Sequence, residues 1–175
     1  MRLDEYFAEN GRAVTKATGE HLFRQGEHTK LIYFVNSGLL KAYYLSADGR
    51  EHVKSFILPG DNIGSLMSVH AKKPSTFSLV CLKPCNLTVV EFDALYRASQ
   101  SDIELAAAVV NFLLGFGIKK EVREFELLCL SAEERYRRLV EKTPDLLELV
   151  TQNEIARYLG ITPVGLSRIK KRLSN

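Results

Sequence analysis

Up to about residue 92 the apolar residues come in short runs broken by turn formers; beyond it they recur every three or four positions. That change of period constrains the chain more than any other feature, because strands and helices need different spacings of apolar side chains. The early runs cover residues 31–35, 39–45, 52–58, 76–82 and 87–92. They are separated by Asn36-Ser37-Gly38, Ala47-Asp48-Gly49, Pro59-Gly60-Asp61 and Lys83-Pro84. Asp-Gly between two strand-like runs predicts a hairpin, since the turn needs positive φ. Several short strands at this spacing predict an antiparallel sandwich or barrel. A short amphipathic helix over residues 1–9, with Leu3, Tyr6 and Phe7 on one side, precedes them.

In the second half, Asp93 is expected to cap a short helix ending at Ser99, and Ser101 or Asp102 to open a long one reaching about Leu128. One face of the long helix carries Val110, Leu114, Ile118, Val122 and Phe125; a second carries Leu105, Val109, Phe112 and Phe116. A helix apolar on two faces needs two partners. The strand-rich part is one; the other is a second subunit or further core of the same chain. Gly115 and Gly117 each cost about 1 kcal/mol relative to Ala in a helix and predict a close approach or a bend. No apolar run reaches the roughly 18 residues a membrane-crossing helix requires, and Met1-Arg2-Leu3-Asp4-Glu5 opens no signal peptide.

The last 45 residues read as three short helices. Ser131 and Glu134 form a capping box for a helix stopping before Pro144, followed by a short apolar link or strand over residues 146–150. Thr151-Gln152-Asn153-Glu154 is a second capping box, for a helix ending near Leu159 with Gly160 as the left-handed residue past its end. Thr162 caps the third helix, with Pro163 at its first position. Ala156 sits where the last two helices cross, and Ile155, Leu159, Ile161, Leu166, Ile169 and Leu173 face inward. This is a helix-turn-helix pattern. The last helix would enter a DNA major groove with Pro163, Val164, Ser167, Arg168 and Lys171 outward. Arg168 is the candidate for bidentate contact with guanine, Ser167 for a base or phosphate, and Val164 for a thymine methyl. Lys170, Lys171 and Arg172 suit phosphates, while Thr151 and Gln152 open the preceding helix toward the backbone. The bland reading is an ordinary helical hairpin.

Charge agrees with the sharper reading. Residues 1–130 carry 15 basic and 15 acidic side chains, whereas residues 131–175 carry nine and six. From Pro163 onward there are four basic residues and no acid. A neutral module joined to a basic one fits a nucleic-acid binder, though cations also favour a helix C-terminus for its dipole. Three cysteines, Cys81, Cys85 and Cys129, fit neither a disulfide framework nor a Cys-x-x-Cys metal site, and point to a reducing cytoplasm. Cys81 and Cys85 read as packing residues, and His21, His28, His52 and His70 lack ligand spacing, so no metal site is expected. No nucleophile elbow, phosphate loop or cupin-type His-x-His pair occurs, so an enzyme is not expected.

Several stretches together resemble the Crp/Fnr family of bacterial transcription regulators over nearly the whole chain. In the first half they are Tyr33-Phe34-Val35-Asn36-Ser37-Gly38, Asp48-Gly49-Arg50-Glu51 and Leu58-Pro59-Gly60-Asp61-Asn62-Ile63-Gly64; residues 151–173 are the more specific signature. The resemblance implies an α+β fold: a jelly-roll-like antiparallel β-roll of cyclic-nucleotide-binding type, a long dimerisation helix and a C-terminal helix-turn-helix. The corresponding divisions are residues 1–100, 101–130 and 131–175. It implies a homodimer joined along Val110, Leu114, Ile118, Val122 and Phe125, and a palindromic site with half-sites about 34 Å apart. Double-stranded DNA and a second copy are the implied partners, with RNA polymerase a further candidate.

The sequence departs from the family pattern in five places. Gly64 is followed by Ser65, where cyclic-AMP binders carry a Glu for the ribose. Ser75-Thr76 follows Pro74, where they carry an Arg beside the hydroxyl residue for the phosphate. A buried phosphate without its cationic fork loses most of its stabilisation. Gly64, Ser65, Ser75 and Thr76 therefore mark a weak pocket; cyclic AMP is not the expected effector and no cofactor is named. No cysteine precedes Cys81, which excludes the family's N-terminal iron–sulfur cluster. Val164 stands where many members place a Glu, and Asn175 follows the recognition helix with no wing hairpin expected. The alternative is a ligand-sensing or protein-interaction module whose helix-turn-helix no longer binds DNA.

Overall fold

The computed structural model describes residues 1–173. Ser174 and Asn175, on which the expectation of an end without a wing hairpin falls, lie outside the described residues.

Among the described residues eight strands form two four-stranded antiparallel sheets. They are β1 (Arg12–Lys16), β2 (His21–Phe23), β3 (Leu31–Ser37), β4 (Leu40–Leu45), β5 (Glu51–Ile57), β6 (Asn62–Ile63), β7 (Ser78–Cys81) and β8 (Cys85–Glu91). The sheet orders are β1-β8-β3-β6 and β2-β7-β4-β5. β4 and β5 pair from Leu40–Ile57 down to Leu45–Glu51, so the Asp48-Gly49 turn closes the hairpin its sequence predicts. The inner faces meet in a core that includes Phe23, Val35, Leu40, Leu79, Leu87 and Val89. β1 and β2 have no counterpart in the apolar runs. β1 is mostly polar and half-exposed along an edge, and β2 is three residues long, so neither carries a period-two signal. Gly38, at φ +101°, lets the chain turn from β3 into β4; a Cβ there would lie 2.4 Å from the Pro84 carbonyl oxygen.

The helices are α1 (Leu3–Asn10), α2 (Leu66–Val69), α3 (Phe92–Ser99), α4 (Ile103–Cys129), α5 (Ala132–Lys142), α6 (Leu146–Leu149), α7 (Gln152–Leu159) and α8 (Pro163–Leu173). Asp102 caps α4 by accepting from the Leu105 amide at 3.0 Å. The Ser131–Glu134 box on α5 forms in full. Two expectations need correcting. Asp93 does not cap α3: Glu91 holds the cap position, and Asp93, inside the first turn, takes the Lys72 ammonium at 2.7 Å. The stretch after Pro144 is one helical turn, α6, rather than a link or strand.

The helices bury the outer side of the double sheet in two clusters. Tyr6 and Phe7 of α1, Phe92 and Leu95 of α3, and Leu105 and Val109 of α4 pack with Ile32 and Val90. Leu139, Leu146, Ile155, Leu159 and Leu166 pack with Leu39, Phe56, Leu58 and Leu82 from the strand-rich part. The start of α4 is thus buried, but its stripe of Val110, Leu114, Ile118, Val122 and Phe125 is 38–61% exposed; Ile118 and Val122 border a recess shared with α5, and Arg138 of α5 lies 5.8 Å from the Phe125 ring centroid. A Cβ on Gly115 or Gly117 would find nothing within 4 Å, and α4 runs unbroken past both, so neither glycine serves an approach or a break inside this chain.

Candidate nucleic-acid interface

The helix-turn-helix segment is assembled by its small core. Ala156, fully buried, permits the close passage of α7 and α8, and Ile155, Leu159, Leu166 and Ile169 fill the space between them and α5. Gly160 ends α7 at φ +69°, ψ +32°, where a side chain would be strained, and the Ile161 amide donates back to the Ala156 carbonyl at 3.0 Å. Thr162 Oγ1 accepts from the Gly165 amide at 3.1 Å, one turn into α8, with Pro163 at its first position. Leu173 departs from expectation: at 36% exposed it lies beyond the edge of the small core.

The second capping box is only half formed. Thr151 Oγ1 accepts from the Glu154 amide at 3.2 Å, but the Glu154 carboxylate turns away to the Lys41 ammonium, at 3.0 and 3.2 Å. Lys41 lies on β4 and is only 5% exposed, so its charge demands carboxylates. Glu51 of β5 supplies the other one. Arg157 of α7 reaches both acids, at 3.4 Å to Glu51 and 3.9 Å to Glu154. Two cations and two anions thus join the sheet to α7, beside an aromatic contact between Phe56 and Tyr158 with centroids 5.5 Å apart.

The outer face of α8 is open. Pro163, Val164, Ser167, Arg168 and Lys171 are exposed, and Arg168 and Lys171 make no hydrogen bond or ion pair among the described residues. The rest of the predicted cationic cluster is engaged. Lys170 donates to Gln152 Oε1 at 3.1 Å, and Arg172 pairs with Glu133 at 3.1 Å. These contacts brace α8 against the start of α7 and against α5. Thr151 and Gln152 are exposed at the opening of α7.

The pocket residues divide. Gly64, Ser65 and Thr76 line a cavity of about 50 Å³, closed in by Phe77 and Phe116. Ser75 does not contribute its hydroxyl: the O–H donates to the Phe77 carbonyl at 2.8 Å and the oxygen accepts from the Phe77 amide, holding a local turn. Ser65 Oγ is buried and has no hydrogen-bond partner among the described residues. The sequence reading missed Lys54 and Lys120, which line the same cavity. Lys54 Nζ sits 4.9 Å from the Phe77 ring centroid and 5.1 Å from that of Phe116. Burial, with the Lys120 charge, pushes its amine down to about 8. The available signal for Lys41 and Lys54 was a lone charge in the middle of an apolar strand run. Cys81 and Cys85 are buried, and burial raises the Cys81 thiol well above its ordinary value, so it is a poor nucleophile at neutral pH.

The fold thus joins a double antiparallel sheet, a long helix with an exposed apolar stripe and a terminal helix-turn-helix. Residues 14–102 match the family model described as cyclic nucleotide-binding domain. The chain is 30% identical to the transcriptional activator protein Anr of Pseudomonas protegens, an alignment covering 97% of this chain and 72% of that protein. It is 27% identical to the anaerobic regulatory protein of Haemophilus influenzae, over 86% of this chain and 62% of that protein, so it spans somewhat under two thirds of that relative's length. The solved structure of FixK2 from Bradyrhizobium japonicum shares the fold with a TM-score of 0.82 at 20% identity, over 94% of this chain and 84% of that one. The chain belongs to the Crp/Fnr family of transcription regulators. Among the described residues no helix is long and apolar enough to cross a membrane.

Proposed function

We propose that the chain binds duplex DNA as a homodimer at a two-fold-symmetric site, with α8 in the major groove. The observation that carries this reading is the two-sidedness of α8. Leu166 and Ile169 anchor one side at 1% and 5% exposure, while Val164, Ser167, Arg168 and Lys171 stand free on the other. A groove-reading helix needs a fixed back and an unoccupied front. Arg168 reads a guanine, Val164 favours a thymine methyl over a hydrogen-bonding edge, and Lys171 neutralises a phosphate. The exposed stripe of α4 supports dimerisation, because five large apolar side chains in line are costly to leave in water. Residues 1–100 serve as the sensor, 101–130 as the coupling helix and 131–175 as the reader. Control by cyclic AMP is not part of this reading: position 65 lacks a carboxylate, positions 74–76 lack a guanidinium, and the cavity between them holds about 50 Å³.

The test is selection of oligonucleotides by the purified chain from a random pool, followed by titration at fixed salt. The expected result is an inverted repeat. Arg168→Ala should weaken specific binding by about 1–3 kcal/mol and relax one base position per half-site. A chain that selects no sequence, or an Arg168→Ala variant indistinguishable from it, would leave a sensing or protein-interaction module.

A further inference from the structure

Below the reader, β5, α4, α5 and the end of α7 enclose a recess of about 300 Å³. That volume is at the lower end of the range for small-molecule sites, about 300–1,000 Å³. Its lining is electrostatically unbalanced. Arg123, Arg135, Arg138 and Lys142 face one carboxylate, Glu126. Glu126, itself buried, serves Lys142 at 3.1 Å and Arg138 at 3.7 Å. Lys119 also borders the recess but is held by Asp61 at 2.8 Å. Lys54 borders it too, with its ammonium turned toward the Phe77 and Phe116 rings.

The two inner arginines have no carboxylate within ion-pair distance among the described residues. Arg123 stacks on Tyr158, with its guanidinium carbon 3.8 Å from the ring centroid, and donates once, to the Tyr158 carbonyl. Its Nε and Nη1 are buried and unpartnered among the described residues. Arg135 donates to the carbonyls of Leu130 and Leu159, and its Nε is likewise orphaned. Buried guanidinium N–H groups without acceptors, gathered round one shared carboxylate, are a cost that a bound anion would remove. Ile118, Val122 and Leu139 give the recess an apolar wall beside this cationic one.

We propose that this recess is a binding site for a small phosphorylated organic anion, separate from the cavity lined by Ser65 and Thr76. The phosphate sits against Arg138 and Lys142 at the mouth, and a modest shift of Arg123 or Arg135 gives it a planar fork, the geometry best suited to phosphate oxygens. The apolar part of the ligand lies on Leu139, which borders the recess without belonging to the α4 stripe. Because Tyr158 and Leu159 belong to α7 and Arg123 to α4, occupancy ties the reader to the long helix. That regulatory consequence rests on the DNA-binding reading; the binding itself does not.

The experiment is calorimetric titration of the full chain with inorganic pyrophosphate, at ionic strength matched with chloride. Saturable binding of one pyrophosphate per chain is expected, with a rise in melting temperature. Arg138→Gln and Lys142→Gln, both partly exposed and so tolerated, should each weaken it by about tenfold, the loss of one charge-assisted hydrogen bond. Arg168→Ala combined with Lys171→Ala, which disables the DNA face, should leave it unchanged. Absence of saturable binding overturns the proposal. So does binding lost with the α8 charges but kept without Arg138 and Lys142, since the anion would then be sampling the DNA face. Saturable binding by a chain that selects no DNA would keep the site and discard only the DNA-binding reading.

Discussion

Replacing Lys41 with Met tests whether the charges between sheet and α7 hold the two together. Lys41 is 5% exposed and bridges Glu51 and Glu154, which are 21% and 14% exposed at their side chains. Breaking a buried ion pair by removing one partner costs about 3–5 kcal/mol, because the other charge is left uncompensated. Here two carboxylates lose their main cation, but Arg157, 45% exposed, still reaches both. The expected loss is therefore about 2–4 kcal/mol, or about 4–16 °C in melting temperature at 2–4 °C per kcal/mol for a chain of this size. Urea and thermal unfolding measure it, and hydrogen exchange should place the loosening in α7. The variant that also carries Glu51→Gln and Glu154→Gln should recover most of the loss, since no buried charge then lacks a partner. A Lys41→Met variant within about 0.5 kcal/mol of the parent, the usual range for an inconsequential surface change, would refute the reasoning. So would a triple variant as unstable as the single one.

Lys54→Met should stabilise the chain at neutral pH by about 1–2 kcal/mol, since the Phe77 and Phe116 rings repay only part of the cost of the buried charge. The amine sits at about 8 in the fold against 10.5 when free, so between those values the unfolded chain binds the extra proton and stability rises with pH. The advantage of Met should accordingly be full below pH 8 and fade toward 10.5; paired melting curves at pH 7 and pH 10 check this, and a constant difference would contradict it. Leu114→Glu with Ile118→Glu should shift sedimentation from dimer to monomer without lowering helicity, because both side chains are about 60% exposed in the single chain. Gly38→Ala should cost about 2–4 kcal/mol through its clash with the Pro84 carbonyl, whereas Gly49→Ala, also at positive φ but with open space around it, should cost about 1 kcal/mol in urea unfolding.

Most of the strand-rich half was legible because its central strands are buried on at least one side and bounded by glycine turns; β3, β4, β5 and β8 stand out as apolar runs. β1 and β2 did not, since an edge strand such as Arg12–Lys16 needs few apolar residues and is held by pairing with β8. The two α4 faces were legible from spacing alone, and burial divides them where Leu105 and Val109 part from Val110 and Leu114. The outward residues of α8 were readable for the same reason. Partnerships between distant side chains were not. Glu154 carries a sound local signal for a capping box, and that signal loses to a buried ammonium 113 residues away. The cationic recess has the same origin: it draws on four elements, none of which carries a net charge above +1 by itself.

Leu39 comes from the strand-rich half yet is 1% exposed among the side chains of α5, α6, α7 and α8. The C-terminal helices are therefore no portable cassette. Cut free near Leu130, they would expose one half of an interior whose complement stays behind on Leu39, Phe56, Leu58 and Leu82. Chimeras that exchange reading heads between relatives should fold well only when the matching residues of the β5 hairpin travel with them.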